Sequence, residues 1–365
     1  MSGSDKPIRI LLVGPSLRKM GGQAIQARRL LESFRTIPGL EPTFQPTDPP
    51  LPGPLRQLQR VRFVRTVVTE LAYLGGLVAR IPRVDVVHVF SASYFSFLLG
   101  PAPAILLARL MGKRVVLNYR SGEADDHLRR WGWHAKPVIR LAHAIVVPSS
   151  YLVEVFAHHG LTAEPVENFV NLAVIPFRIR EHPRPRILAN RNFEPLYNVA
   201  CVVRAFARIQ GEIPSATLTL VGEGSQGSAI RALVEELGLR EVRFTGAVAP
   251  GEMARLYDEA DVYLNAPNID NMPNSLIECF AAGLPIVSTD AGGIPHIVAD
   301  GVSGLLVPVG DDAALAQAAL RVLREHGLAG RLTAAARAVA LEKYSWESVR
   351  DRWLALYQRL SPPAR

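Results

Sequence analysis

Between Asn265 and Gly293 the chain reads as strand, polar loop, helix, turn, strand and glycine pair. Two carboxylates in this run, Asp270 and Glu278, are separated by seven residues. Asp270 falls in the polar loop. Glu278 falls inside a helical stretch between Leu276, Ile277, Cys279 and Phe280. A carboxylate among apolar neighbours needs hydrogen-bonding partners, and ribose hydroxyls would serve. Pro273 suits the first turn of this helix and Gly283 its end. Backbone N–H groups at the helix start make an anion site. Hydroxyl recognition and anion recognition therefore stand side by side.

Such residues need a scaffold that brings loops together, and the alternation of apolar runs supplies one. Ile8–Val13, Val84–Phe90, Arg114–Tyr119 and Ala144–Val147 read as buried strands with helical patterns between them. A stretch rich in Pro and charge, Pro176 to Pro185, reads as a linker, and Thr36 to Pro54 as a long Pro-rich loop. The alternation then restarts with Arg186–Ala189, Thr217–Val221, Val242–Thr245, Val262–Leu264, Ile286–Ser288 and Gly304–Val307. Ala313 to Leu341 is one helical pattern, and Ser345 is the N-cap of a last helix to Leu360. Two doubly wound α/β domains with a cleft between them are expected, with ligands at the carboxyl ends of the strands. The expected divisions are 1–175, 176–343 and a closing helix in 344–365.

Composition narrows the function class. A chain of 365 residues with 48% hydrophobic and 20% charged residues suits a globular protein of two domains. The net charge of +8 comes from 36 Arg and 5 Lys against 33 acidic residues. The arginines interleave with acids along the chain and no aromatic run accompanies them, so nucleic acid is not an expected partner. Cys201 and Cys279 have no metal or disulfide spacing and read as small core residues. No signal peptide is visible in Met1 to Pro7, which points to the cytoplasm. Val89 to Ala108 carries no charge over a bilayer-spanning length, but Pro101 and Pro103 break it into a strand end, a loop and a buried helix.

The run from Asn265 to Gly293 resembles the GT-B glycosyltransferases of family 4, whose signature is an acidic pair, E-x7-E, a small-Gly-x-Pro turn and a later glycine pair. The resemblance extends along nearly the whole chain. Gly21-Gly22 resembles the glycine loop after the first strand, where the backbone can approach a donor phosphate. Val221-Gly222-Glu223-Gly224-Ser225 resembles the turn beside the nucleotide base. Leu256-Tyr257-Asp258-Glu259-Ala260-Asp261 resembles the step into the acidic loop, and Glu167-Asn168-Phe169-Val170-Asn171 the element that ends the first domain. The resemblance implies that Glu278 contacts the donor ribose. It implies that the backbone of Asn271, Met272, Pro273 and Asn274 holds the donor sugar and diphosphate, and that Arg191 grips the diphosphate. The closing helix is implied to cross back onto the first domain.

Four positions depart from the family pattern. Asp270 replaces the usual first Glu with a shorter carboxylate. Tyr197 or Asn198 stands where the family carries Lys, and Arg204 is a candidate substitute. Arg120 stands where the first-domain strand usually ends in His; a guanidinium cannot act as a base but can bind an anionic acceptor or the leaving phosphate. Gln23 follows the glycine pair where an acid is usual, on the acceptor or donor side. His88, at the end of the second strand, is either an acceptor-side residue or a histidine satisfied in the core.

The resemblance implies transfer of a sugar from a nucleoside diphosphate sugar to an acceptor hydroxyl with retention, in bacterial glycan or glycolipid synthesis. No cofactor and no metal is expected. Arg191, Asp270 and Arg120 are the expected catalytic residues. The acceptor is a sugar or a lipid-linked glycan, and Arg56, Arg60, Arg62 and Arg65 raise contact with an anionic membrane surface. The competing readings are a sugar-nucleotide 2-epimerase, a glycan phosphorylase and a sugar-nucleotide-binding protein without turnover.

Overall fold

The computed structural model describes residues 6–18, 21–51, 62–91 and 93–361. It divides into two compact units, Met1–Glu167 with Arg350–Arg365, and Asn168–Val349. The stretch read as a linker lies inside the second unit.

In the first unit, β1 (Ile8–Gly14), α1 (Gly22–Arg35), β2 (Leu40–Pro46), α2 (Arg62–Arg80), β3 (Val86–Ser91), α3 (Phe95–Leu99), α4 (Pro101–Leu110) and β4 (Arg114–Tyr119) follow in order. They are followed by α5 (Ala124–Arg130), α6 (Gly132–Ile139), β5 (Ala144–Val147), α7 (Ser150–His158) and β6 (Glu164–Pro165). The sheet order is β2-β1-β3-β4-β5-β6, with every pairing parallel. The chain leaves β1 for one neighbour and returns to β3 on its other side, so the switch point lies between β1 and β3.

The second unit runs β7 (Arg186–Asn190), α8 (Val199–Glu212), β8 (Thr217–Val221), α9 (Gly227–Glu236), β9 (Val242–Gly246), α10 (Pro250–Glu259) and β10 (Val262–Asn265). Then come α11 (Asn274–Ala282), β11 (Ile286–Thr289), β12 (Leu305–Val307), α12 (Asp312–Arg324) and α13 (Leu328–Lys343). Its parallel order is β12-β11-β10-β7-β8-β9, with the switch point between β7 and β10. The last helix, α14 (Trp346–Leu360), starts in this unit, and its residues from Arg350 belong to the first. Ser345 Oγ accepts from Ser348 N at 3.2 Å, the cap expected for it.

The central strands of both sheets are buried on both faces, which is why they read as apolar runs. Cys201 and Cys279 are buried in the second unit's core.

Two expectations change. Leu40–Pro46, expected as loop, is the edge strand β2. Thr47 N–H donates to Gly14 O, so Pro42 and Pro46, of opposite parity, place their missing N–H groups on the open edge. The pattern from Ala313 to Leu341 is two helices, broken where Gly327 takes a positive φ of 73°. The segment from Val89 to Ala108 holds the expected end of β3 and the helix from Pro101, α4, but the short helix α3 stands within the expected loop. Among the described residues no helix is long and apolar enough to cross a membrane.

Candidate functional site

At the switch point of the second unit, Arg191 follows the carboxyl end of β7 and Asp270 sits in the loop that follows β10. Their side chains, 11% and 15% exposed, form an ion pair. The guanidinium also lies over the Tyr197 ring, 4.0 Å from its centroid. Tyr197, one of the two residues expected in place of the family's Lys, thus meets the cation by its π face. Burial works against the Arg191 charge, but Asp270 together with the Tyr197 and Tyr263 side chains outweighs it and raises the pKa above the ordinary arginine value. Arg191 Nε is buried with no hydrogen-bond partner among the described residues. Arg204 is no substitute for the missing cation: it is 42% exposed and faces Asp312 at 3.7 Å.

Glycines hold the two loops in place. A Cβ on Gly293 would stand 2.1 Å from Asn271 O, and one on Gly292 2.3 Å from Asp270 O, while Gly293 N–H donates to Asp270 O at 2.8 Å. The glycine pair is the backing of the acidic loop. Gly224 plays the same part behind Phe193, where a Cβ would meet Phe193 O at 2.5 Å. Glu223 is exposed, and its backbone oxygen accepts from Phe193 N–H at 2.9 Å.

The loop then enters α11 through Asn271, Met272 and Pro273, all buried. Pro273 stands at the cap position rather than inside the first turn, and Gly283 ends the helix in the left-handed region with φ 65°. Asn168 fastens the entry: its Nδ2 donates to Met272 O and to Asn274 Oδ1, each at 3.0 Å. Pro273, at the cap, makes no side-chain hydrogen bond to the helix start.

Glu278 points inward from α11 and is 8% exposed. Its Oε2 accepts from Tyr257 Oη at 2.7 Å. Tyr257 Oη accepts in turn from Asn190 Nδ2 at 2.7 Å, and Asn190 Oδ1 accepts from Tyr263 Oη at 2.6 Å. Asn190 and Tyr263 were not singled out in the sequence, and Tyr257 was visible only as part of a family motif.

Pro176 to Pro185, expected as a linker, leads into β7 as a strap. Buried Arg180 donates to Tyr257 O and Ala260 O at the end of α10 and to Ala282 O and Gly283 O at the end of α11. One guanidinium thereby caps two helix C-termini, where cations are favoured. Arg178 and Arg186 both bind the buried Asp261 carboxylate at 2.8 Å. They hold its pKa below the ordinary value against the opposing effect of burial.

In the first unit, His88 does not reach a surface. It is fully buried, with Nδ1 2.6 Å from Tyr357 Oη and Nε2 2.9 Å from Asn118 Nδ2. The core reading of this residue replaces the acceptor-side one. Burial, and secondarily Arg120, push its pKa down to about 3. Arg120 Nε donates to Asn118 Oδ1 at 2.9 Å, and the guanidinium lies 5.4 Å from the Phe90 ring centroid. Burial pushes Arg120 down to about 9.

Gln23 Nε2 donates to Ser91 O at 2.9 Å and ties the start of α1 to the end of β3. Gly21 is extended, with nothing among the described residues within 4 Å of where a Cβ would go, and Gly22 opens α1. Tyr94, not singled out in the sequence, has a φ of 54° in the loop after β3, and its hydroxyl donates to Asp126 at 2.6 Å. Arg56 and Arg60 lie outside the described residues; Arg65 is exposed on α2.

Residues 184–325 match the family model for glycosyl transferases group 1. They form a glycosyl transferases group 1 domain. This domain takes in the strap from Arg184, Arg191, the acidic loop, Glu278 and the glycine pair. The chain is 30% identical over 238 residues to a phosphatidyl-myo-inositol mannosyltransferase of Mycobacterium leprae, covering 63% of this chain and 61% of the relative. It is 31% identical over 167 residues to the N-acetyl-alpha-D-glucosaminyl L-malate synthase of Bacillus anthracis, covering 46% and 43%. The chain thus spans about half the length of these two relatives. Among solved structures, the Anabaena HepE protein in complex with UDP-glucose superimposes with a TM-score of 0.76 at 14% identity, over 96% of this chain and all of that one. The two parallel six-stranded sheets are those of the GT-B fold. Among the described residues no three His, Cys, Asp or Glu side chains gather as a metal site.

Proposed function

We propose that this glycosyl transferases group 1 chain moves a sugar from a nucleoside diphosphate sugar to an acceptor hydroxyl with retention, in bacterial glycan or glycolipid synthesis. One observation carries the reading. A buried carboxylate, Glu278, and a cation only 11% exposed, Arg191, follow adjacent central strands at a topological switch point, with the start of α11 at the end of the loop that leaves β10.

In this reading Glu278 accepts the donor's ribose hydroxyls, and the backbone of Asn271 to Asn274 receives the diphosphate and sugar. Arg191 exchanges Asp270 for a phosphate oxygen, which leaves Asp270 to meet the sugar. The bond from C1 to the diphosphate oxygen breaks while the acceptor oxygen bonds C1 on the same face, and the acceptor's proton passes to the departing diphosphate. Arg191 and the helix-start amides stabilise the charge growing there. The reading requires no metal. Arg120 and Gln23 serve the acceptor side, Arg120 as a cation for an anionic group.

Incubation with UDP-, GDP- and ADP-sugars tests the reaction class. Slow donor hydrolysis is expected; conversion to an epimer would favour the 2-epimerase, and binding without turnover a non-catalytic protein. Glu278→Ala should weaken donor binding about hundredfold, the loss of two charge-assisted hydrogen bonds. Unchanged affinity would remove Glu278 from the site.

The acceptor is proposed to be a lipid-linked glycan met at an anionic bilayer. Its support is α2, whose core face carries Tyr73 and Leu77 while Val64, Val67, Leu71 and Val78 stand 38–64% exposed on the opposite face. The protein should co-float with vesicles containing anionic phospholipid, and Leu71→Glu should not. If neither floats, the acceptor is a free sugar.

A further inference from the structure

The polar chain that ends on Glu278 has a direction. A carboxylate can only accept, so the Tyr257 hydroxyl commits its proton to Glu278 Oε2. The hydroxyl oxygen then accepts from behind, from Asn190 Nδ2. That orientation turns Asn190 Oδ1 toward Tyr263, whose hydroxyl donates to it. Every proton in the chain points toward the carboxylate. Burial, reinforced by the Glu278 charge, raises the Tyr257 pKa well above the ordinary phenol value, so Tyr257 remains a donor across the working pH range.

The chain also joins the two ends of the site. Asn190 is the residue immediately before Arg191, and Tyr257 lies on α10, whose C-terminus Arg180 fastens to that of α11. The carboxylate's setting is therefore tied to the strand end that presents the cation.

We infer that Tyr257, backed by Asn190, is a positioning residue: it fixes the Glu278 carboxylate for ribose hydroxyls and does not itself touch the ligand. The inference rests on the reading of Glu278 as the ribose carboxylate. It assigns the Tyr257 hydroxyl a role separate from its buried ring, and Tyr257→Phe removes the first while keeping the second.

The test compares two ligands on two proteins. Affinities of the wild type for UDP, GDP and ADP identify the nucleotide, and the same base is then tried as its 2′,3′-dideoxy diphosphate. Tyr257→Phe is expected to weaken the ribonucleotide about tenfold and to leave the dideoxy analogue within about twofold. In a Glu278→Gln background the same substitution should add nothing. Equal losses for both ligands would mean a loosened pocket rather than a positioned carboxylate, and would overturn the inference. So would an unchanged ribonucleotide affinity. A wild type that binds none of the three nucleotides would remove the donor reading and this inference together, whereas binding indifferent to Tyr257→Phe removes the inference alone. Should Tyr257→Phe fail to fold, Asn190→Ala, which strips the chain one link further back, is held to the same ligand comparison.

Discussion

The two units solve the same problem with opposite signs. In the first, Arg120, Asn118, His88 and Tyr357 form one buried chain; in the second, Tyr263, Asn190, Tyr257 and Glu278 form another. Each passes through an asparagine near the carboxyl end of a central strand. In the first, the guanidinium must donate, so Asn118 Oδ1 faces it and Asn118 Nδ2 turns to His88 Nε2. His88 Nδ1 then carries the proton and donates to Tyr357. In the second, the carboxylate must accept, and every donor faces it. An amide side chain can serve either polarity because it carries both a donor and an acceptor. One chain presents a cation and the other an anion. Only the first contains a histidine, whose ordinary pKa lies near neutral and which burial holds down at about 3.

The largest contrast should appear in turnover. Arg191→Ala should lower kcat by about 10²- to 10³-fold, the scale of losing one group that stabilises developing charge. Arg120→Ala should act mainly on the acceptor KM. Steady-state kinetics with both substrates varied would separate the two. A loss of kcat from Arg120→Ala as large as that from Arg191→Ala would place both cations on the leaving group and erase the division.

Stability should follow the other order of dependence. Arg180→Met leaves the carbonyls at two helix ends without their donor, and should cost the second unit about 3–5 kcal/mol in urea unfolding. The first unit has no comparable clamp among its described residues, but it has His88. Below the ordinary histidine pKa of 6.5 the unfolded chain takes up a proton that the folded chain, held near 3, refuses. Stability due to His88 is therefore fully present above pH 6.5 and falls as the pH drops toward 3. About 2 kcal/mol should be lost between pH 7.5 and 5. His127, pushed down to about 4 by burial, adds to the same loss. His88→Asn should unfold more easily at pH 7.5 and show a shallower decline, and an unchanged decline would put the acid sensitivity elsewhere.

The residues that were legible from sequence are those whose signal is local. Strand ends punctuated by Gly and Pro, the loop after β10 and the helix that carries Glu278 announce themselves by apolar runs and turn residues. Arg180 does not. It sits among Pro, His and other arginines, which reads as solvent, and only two distant helix ends make burial tolerable. Tyr257 and Asn190 fail for the same reason: a polar residue in an apolar pattern reveals burial but not its partner. β2 was hidden because Pro42 and Pro46 argue against a strand until one knows that it lies at the edge. His88 could be read two ways, and only its contacts with Asn118 and Tyr357 decide between them.

The glycine pairs give the smallest and sharpest contrast. Gly293 is required by packing, since a Cβ there would overlap the Asn271 carbonyl. Gly21 is extended with nothing among the described residues within 4 Å of a Cβ, so no contact among them demands glycine. Gly21→Ala should change stability by no more than about 0.5 kcal/mol, whereas Gly293→Ala should cost several times that. If Gly21→Ala is neutral in unfolding yet slows turnover, the backbone at that position touches a substrate. If it is neutral in both, the first glycine pair is a plain helix start and its likeness to the family's phosphate loop carries no function.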